Sequence, residues 1–392
     1  MSSAEIVFVN AAIQNRDFSI DEKPEKVVGI LAAQALNHLQ GNDVDVHCWN
    51  NVGLFDSQQS ESADYRLAIK YNSDFAKHIV GPGNKETVVL SDDQNVFTEW
   101  AIPTINSMIS SGSVYIEEAD FHHCFSCDTT IAELAVDIDD CKSCNSSSQI
   151  KTTTELGMFT NTPDDRGLLL PENLVINQIN IRQERSSLMQ IPPRLLLSRT
   201  RSIGVPLESF GLENHKLDPR LGIGLLAIFA ASNLGYGSVG IVQSISTLNR
   251  VAPYLRSALP NPRLVDLPGY LFAFHSLVRP QLLDNAVVSP SLIALYALGQ
   301  RNDITSTQKI FEEISKLERC VTALDKVAPL TETDRSSPRL PRNLSHIVAT
   351  TAKDIGKLLE EVKHGRTPSQ ETLSEIDSAR TFAQRILDLS VQ

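Results

Sequence analysis

The sequence lacks the long apolar runs that a membrane protein requires. No stretch of about 18 consecutive apolar residues occurs in it, whereas a transmembrane helix needs about 20. The most apolar segment, residues 221–231, is shorter than this and contains Gly222 and Gly224. Residues 1–5 also lack the basic region followed by an apolar one that a signal peptide would show. We therefore predict no membrane span and no signal peptide.

Cysteine is scarce, and its distribution argues against a small disulfide-rich secreted domain. The chain has six cysteines among 392 residues, whereas such domains carry a dense and even set. Four of the six form two C-x-x-C pairs, while Cys48 and Cys320 stand alone. This pattern predicts a reducing compartment, and we expect a cytoplasmic protein.

An excess of basic charge is also missing. Lys and Arg number 35 against 47 Asp and Glu, which gives a net charge of −12. This balance repels nucleic acid at long range, so we predict no DNA partner. Two groups of arginines, within residues 182–201 and 335–342, leave tRNA open as a partner. Charged runs are more often solvated surface, which is the alternative interpretation.

Several common catalytic motifs are absent as well. The sequence has no G-x-x-x-x-G-K-[ST] phosphate loop, no G-x-S-x-G nucleophile elbow and no H-E-x-x-H zinc helix. The acidic pairs Asp92–Asp93 and Asp139–Asp140 are most simply interpreted as exposed turns. The sequence therefore gives no direct sign of these three chemistries.

What is present is a strand–helix–strand pattern near the amino terminus. Residues 6–9 and 44–49 have strand-like composition, and residues 25–40 place apolar side chains on one helical face. This order predicts a parallel sheet with a right-handed crossover, and hence an α/β fold of two or three domains. Further helices are predicted at 221–233, 241–258, 306–327, 347–362 and 369–389.

Two C-x-x-C pairs predict a metal site. Each pair can form a tight turn that aims two thiolates at one point, and 13 residues between the pairs let the chain fold back. Four sulfur ligands are the set that structural zinc prefers. His122 and His123 are expected beside the site, not as ligands. A redox-active pair is the alternative. We predict a structural zinc ion held by Cys124, Cys127, Cys141 and Cys144.

A longer segment points to a family. Residues 195–207 read LLLSRTRSIGVPL, which resembles the methionyl-tRNA synthetase segment I-S-R-T-R-x-x-W-G-I-P-V-P. Residues 217–218, Leu-Asp, resemble the L-D-A-P element that comes next in that family. Segments similar to the family's first strand, second strand and approach to the zinc knuckle lie upstream, at 6–15, 44–51 and 111–127. The matching elements keep their order over about residues 5–300.

The resemblance implies the fold of a class I aminoacyl-tRNA synthetase. This is a Rossmann-type parallel sheet that is split by a zinc-knuckle insertion and followed by a short α-helical C-terminal domain. The implied limits are, in chain order, 1–100 for the first half of the sheet domain, 101–160 for the insertion, 161–300 for the second half and 301–392 for the helical domain. The resemblance also implies a set of substrate-binding residues: Ala11, Ala12 and Asn51.

The resemblance fails at the two ATP motifs of the family. The H-x-G-H motif is expected near residues 18–24, which read FSIDEKP and carry two acidic side chains that would repel a polyphosphate. The K-M-S-K-S motif is expected near residues 272–280, which read FAFHSLVRP without a lysine. Arg279 or His275 could replace that lysine only in part, because these cations are not interchangeable at phosphate sites. We therefore do not count ATP as an expected cofactor.

These departures lead to a functional hypothesis with alternatives. The family's substrate-binding aspartate falls near Asn51, which is uncharged, so methionine is not assumed as the ligand. We predict a synthetase-like protein, non-catalytic or repurposed, that binds an amino acid, an aminoacyl-tRNA or a protein partner. One alternative is an active ATP-dependent amino-acid ligase of specialised metabolism that forms amide or nitrogen–nitrogen bonds. The other is a structural subunit that docks a partner through the helix at 369–389. The motif losses disfavour an ordinary housekeeping synthetase.

Overall fold

A computed structural model of the protein describes part of the chain. The described residues are 6–10, 13–14, 24–42, 44–50, 86–92, 94–126, 130, 150–162, 175–176, 192–200, 204–259, 269–274, 292–294, 308–327, 380–381 and 383–388. The strands are β1 (Ile6–Asn10), β2 (Ile13–Gln14), β3 (Val44–Asn50), β4 (Glu86–Ser91), β5 (Tyr115–Cys124), β6 (Ile150–Asn161), β7 (Val175–Ile176), β8 (Arg194–Leu196), β9 (Ser198–Thr200), β10 (His215–Leu217), β11 (Ser238–Ser244) and β12 (Gly269–Phe274). The helices are α1 (Pro24–Gln40), α2 (Asn95–Ser110), α3 (Pro219–Asn233), α4 (Ile245–Ala258) and α5 (Gln308–Val327).

The main sheet is parallel throughout. Its strands lie in the order β4, β3, β1, β11, β12, β7, and β2 continues β1 along the same side of β3. Such sheets are buried on both faces, and all five residues of β1 are buried. The predicted α/β fold with a parallel sheet and a crossover helix is therefore confirmed.

Helices cover both faces of this sheet. Val7 and Val9 of β1 belong to one core cluster with apolar residues of α2, α3 and α4. Strand residues alternate between faces, so Phe8 points the other way, where α1 packs on β1 and β11. At Gly240 of β11 an added Cβ would lie 2.4 Å from the Phe8 ring, so the glycine makes room for that aromatic side chain.

A smaller antiparallel sheet lies in the chain between β4 and β11 of the parallel sheet, and β7 of the parallel sheet comes between its strands β6 and β8. It has the order β5, β6, β8, with β5 and β6 paired from Tyr115–Phe159 to Cys124–Ile150. A two-stranded ribbon of β9 and β10 comes next, and α3 leads from it back into the main sheet through β11. Strands of the parallel sheet are therefore separated in the chain by strands of a second sheet, and the zinc-knuckle insertion stays a prediction. The limits of the four predicted domains stay predictions.

One predicted helix is wrong in part. Residues 241–258 were expected to be helical throughout, but Ser238–Ser244 form β11, and only Ile245–Ala258 form a helix. The reason is that β11 lies between β1 and β12, where its run Val-Gly-Ile-Val is buried on both faces and loses the alternation that marks a strand.

The other predicted helices agree with the described residues as far as these reach. The helices expected at 25–40, 221–233 and 306–327 correspond to α1, α3 and α5. Within the helix expected at 369–389, residues 380–381 and 383–388 are helical, whereas 347–362 lies outside the described residues. Among the described helices, none has the length and the apolar character needed to cross a membrane. A separate C-terminal helical domain stays a prediction.

Candidate functional site

The topology of the main sheet marks one place for a ligand. Strand order along the chain reverses between β1 and β11, and in open parallel sheets ligands bind at the carboxyl ends of the strands at such a reversal. The helices α1 and α3 each lead into a strand of the sheet, so their amino ends reach this same edge. The edge therefore gathers Asn10 of β1, Asn50 of β3, Asp92 after β4 and Asp218 before α3.

The three predicted substrate-binding residues lie outside the described residues. Ala11 and Ala12 come directly after Asn10, the last residue of β1, and Asn51 comes directly after Asn50, the last residue of β3. Because β1 and β3 are neighbouring parallel strands, the described residues Asn10 and Asn50 both lie at the carboxyl edge. Their role as ligand contacts stays a prediction.

Asn10 joins the ends of β1 and β3 through its side chain. It is 1% exposed, and its Nδ2 donates to the carbonyl oxygen of Cys48 at 3.0 Å. The Cys48 amide donates to Asn10 Oδ1 at 3.3 Å, and His47 Nδ1 lies 3.4 Å from the same oxygen. Since Oδ1 can only accept, His47 carries its proton on Nδ1 in this contact.

Neither His47 nor Cys48 has the properties of an acid–base catalyst or a nucleophile. Both side chains are completely buried in β3. Burial lowers the pKa of His47 to about 4, and burial raises the pKa of the Cys48 thiol to about 12. At neutral pH His47 is therefore uncharged and Cys48 is a thiol. Their contacts with Asn10 hold β3 against the end of β1.

Asp92 corrects an expectation from the sequence. It was interpreted as part of an exposed turn, but it is only 4% exposed. The reason is that β4 runs on through buried Leu90 and Ser91, and Asp92 comes directly after them at the carboxyl edge, where α2 begins shortly afterwards. The edge thus contains one buried acidic residue that the sequence did not indicate.

An ion cluster at the start of α3 links the two segments on which the family resemblance rests. Asp218 is fully buried and caps α3 by accepting from the Arg220 amide at 2.9 Å. Its carboxylate forms ion pairs with Arg199 and, at 2.9 Å, with Arg220, whose guanidinium stacks 4.3 Å above the Tyr254 ring. The structure therefore brings residue 199 of the first segment onto residue 218 of the second.

The charge state of Asp218 is set by these contacts. Burial acts to raise the pKa of the carboxyl, but the charges of Arg199 and Arg220 and the hydrogen bonds from Arg220 outweigh it. The pKa therefore lies well below its ordinary value, and Asp218 is ionised at neutral pH. The cluster carries two positive charges and one negative charge and can orient the chain at the edge, but its carboxylate is not available as a base.

The predicted zinc ligands are described at one position. Cys124 ends β5, is buried and lies opposite Ile150 at the start of β6. Cys127, Cys141 and Cys144 lie outside the described residues, within the 125–149 segment that joins the two strands. Among the described residues no group of three or more metal-ligating side chains occurs, as expected when one of the four cysteines is described. The zinc site stays a prediction.

The two histidines beside Cys124 have partners of their own. Nε2 of buried His123 lies 2.6 Å from Glu155 Oε1, and Nδ1 of exposed His122 lies 3.1 Å from Thr152 Oγ1. Both partners lie on β6, so these contacts join the side chains of β5 and β6 next to Cys124, the last residue of β5. Four thiolates remain the donor set that fits zinc, and the ion would crosslink the 125–149 segment without supplying chemistry.

Sequence reasoning missed Asn10, His47 and Asp92 as residues of the edge. Their residue types are common in cores and turns, and nothing in their spacing marks them. The available signal was position: Asn10 directly follows the predicted strand 6–9 and His47 lies within the predicted strand 44–49, whereas Asp92 follows β4, which is seen in the structure. Polar residues at the carboxyl ends of such strands are candidates for a ligand site.

The fold and this edge together define an α/β protein with an open parallel sheet of the Rossmann type. The solved structures that it resembles include methionyl-tRNA synthetases from Mycobacterium tuberculosis. The apo enzyme matches with a TM-score of 0.51 at 12% identity, over 99% of this chain and 88% of that one. The enzyme bound by methionyl-adenylate matches with a TM-score of 0.52 at 12% identity, over 99% and 90%.

A second complex with methionyl-adenylate matches with a TM-score of 0.53 at 12% identity, over 98% of this chain and 90% of that one. No protein-family model and no curated protein matches the chain in sequence. At 12% identity the likeness shows the fold alone, and function has to be argued from the site.

Proposed function

We propose that this protein is a synthetase-like binding protein that has lost amino-acid activation and that binds an amino acid, an aminoacyl-tRNA or a protein partner. The observation that carries the proposal is the scarcity of cationic residues in the segments that correspond to the family's ATP site. Residues 10–14 and 48–51, at the ends of the strands beside the topological reversal, contain no Lys, Arg or His. Residues 18–24 add two acidic side chains and one lysine.

The charges described at the edge do not replace an ATP clamp. Arg199 and Arg220 both face the buried carboxylate of Asp218, which leaves the cluster one net positive charge. Asp92 adds a buried acidic residue nearby in the sheet. Phosphate transfer needs several preorganised positive groups at the reacting phosphates, and this arrangement supports binding of a small, weakly charged ligand instead.

The ligand class is argued from the same chemistry. The described edge offers the amide of Asn10 and the buried acidic side chains of Asp92 and, within its ion cluster, Asp218, a set that suits an amine and a carbonyl in a compact molecule. The Mycobacterium tuberculosis enzyme is described as bound by methionyl-adenylate. For this protein we propose that the aminoacyl part of such a ligand is recognised and that ATP is not.

The described C-terminal residues, 380–381 and 383–388, favour packing within this chain over docking of a partner. Arg385 donates to the carbonyl oxygen of Leu39 at 2.7 Å, and Ala383 and Ile386 of the same helix are buried. The described part of this helix therefore packs on the end of α1. A structural subunit that docks through this apolar stripe is correspondingly less favoured.

The test is amino-acid-dependent exchange of pyrophosphate into ATP by zinc-loaded protein, with each common amino acid added singly. A methionyl-tRNA synthetase serves as the positive control, and calorimetry with the same amino acids measures binding without ATP. We expect no exchange above background and binding of at least one amino acid or aminoacyl compound. Exchange with one amino acid would refute the proposal and identify the protein as an active adenylating ligase.

A further inference from the structure

The pairing between β1 and β3 changes register at the candidate site. Val9 lies opposite Val46, and the pairing resumes with Ile13 of β2 opposite Trp49. From Val9 to Ile13 the chain advances by four residues, whereas the paired stretch of β3, from Val46 to Trp49, advances by three. The β1–β2 side therefore has one residue more than β3. An extra residue of this kind bends the strand and redirects the chain beyond it, and such bulges are frequent beside active sites.

Asn10 occupies the position where main-chain pairing is interrupted. Its side-chain amide donates to the Cys48 carbonyl at 3.0 Å and accepts from the Cys48 amide at 3.3 Å. A side-chain amide carries the same donor and acceptor as a peptide group, so Asn10 replaces the backbone that would pair with Cys48 in a regular ladder. The buried polar groups of Cys48 are thereby satisfied although the ladder is broken.

The same strand contains a matched arrangement farther from the edge. Asn37 of α1 accepts from the Phe8 amide at 2.7 Å and donates to the Phe8 carbonyl at 2.8 Å. Asn37, like Asn10, is 1% exposed. It satisfies the main-chain amide and carbonyl of Phe8, which lies two residues before Asn10 and farther from the carboxyl edge. The two asparagines therefore make equivalent contacts, and only Asn10 adjoins the candidate site.

We propose that Asn10 is a positioning residue of the ligand site at the carboxyl edge. Its amide fixes the end of β1 to β3 at the register change, and β2 resumes the pairing with β3 beyond it. A ligand at this edge would then meet strand ends that an uncharged side chain holds in place. This inference rests on the proposed function for the identity of the ligand, but its structural part can be tested without any ligand.

The experiment compares Asn10→Ala with the matched control Asn37→Ala in the full chain. Hydrogen–deuterium exchange is measured on peptides that cover residues 5–16 and 44–52, with no ligand present. We expect Asn10→Ala to speed exchange at least tenfold in residues 11–14 and at Cys48. Asn37→Ala should speed exchange near Phe8 and leave residues 11–14 within twofold of the wild type. Urea unfolding reports the stability loss of both variants.

Binding is then measured by calorimetry with the common amino acids and a non-hydrolysable methionyl-adenylate analogue. Asn10→Ala should weaken binding at least tenfold more than Asn37→Ala does at a comparable loss of stability. If Asn10→Ala does not fold, Asn10→Asp replaces it, since this variant keeps the acceptor for the Cys48 amide and loses the donor.

Equal exchange at residues 11–14 in the two variants would overturn the positioning role. So would equal weakening of a ligand that the wild type binds. If the wild type binds none of these compounds, the proposed amino-acid function fails, while the exchange comparison still decides whether Asn10 fixes the segment.

Discussion

Protonation of His47 should destabilise the folded protein as the pH falls. The imidazole is completely buried in β3, and burial lowers its pKa from the ordinary value of 6.5 to about 4. Between these two pH values the unfolded chain binds a proton that the folded chain does not. The free energy of unfolding therefore rises with pH across this window and is lost as the pH falls through it.

The size of the effect is set by the two pKa values of His47. One pKa unit corresponds to about 1.4 kcal/mol, so the full difference is about 3 kcal/mol below pH 4. At pH 5 linkage gives about 2 kcal/mol relative to pH 8. No reduction for solvent screening applies, because the side chain is not exposed.

The assay is urea unfolding, followed by far-ultraviolet circular dichroism at pH 8, 7, 6 and 5. His47→Gln keeps a donor for Asn10 and does not titrate, so the difference between wild type and variant isolates this imidazole from all other groups. His122→Gln is the control, since it makes the same change at an exposed position.

We expect the wild type to lose about 2 kcal/mol more than His47→Gln between pH 8 and pH 5. Parallel pH profiles for the two proteins would refute the reasoning. That result would mean that His47 reaches solvent or finds an acidic partner in the folded state.

Three further predictions concern packing, charge and metal. An added Cβ at Gly224 would lie 2.3 Å from a methyl carbon of Leu255, so Gly224→Ala should lower the free energy of unfolding by about 1–3 kcal/mol. At Gly222 in the same helix an added Cβ would lie 3.9 Å from its nearest neighbour, so Gly222→Ala should raise the free energy of unfolding by about 0.5–1 kcal/mol. Equal effects of Gly222→Ala and Gly224→Ala in calorimetric melting would contradict this packing. Asp218→Ala removes a buried carboxylate from two partly buried guanidiniums and should cost about 3 kcal/mol, the lower end of the range for breaking a buried ion pair; a loss below about 1 kcal/mol in urea unfolding would show that the cluster relaxes. Chelation of zinc should release one equivalent of metal per chain and increase proteolysis within residues 125–149, with Cys124→Ser giving the same pattern; metal content of zero in fully reduced, freshly purified protein would count against the site.

The first strand–helix–strand unit of the fold could be predicted because its sequence signals are local. The run 6–9, the amphipathic helix at 25–40 and the run 44–49 each show their period within a few residues, and they became β1, α1 and β3. The pairing of residues 199 and 218 was not predicted by spacing. It results from antiparallel pairing of β9 with β10, which sets Ser198 opposite Leu217.

The rest could not be predicted because it depends on neighbours distant in sequence. Residues 238–244 are a strand only because β1 and β12 flank them, and their composition suits a core helix equally well. Asp92 is buried where β4 ends beside β3, and α2 begins at Asn95, three residues later. The role of Asn10 depends on a register change that no local pattern encodes.

The position of β11 has a consequence for how the chain is made in the cell. Asn10 ends β1 and Ser238 begins its partner strand β11, so the 227 residues 11–237 separate two strands that share a ladder. At a synthesis rate of about 5–20 residues per second, roughly 10–45 s pass before β11 leaves the ribosome. During that time Asn37 and Asn42 can already satisfy Phe8 and Ile6 on one side of β1, while its other side has no partner. The nascent first half therefore presents an unpaired apolar strand edge for many seconds, and we expect holding chaperones to bind there until the insertion is complete.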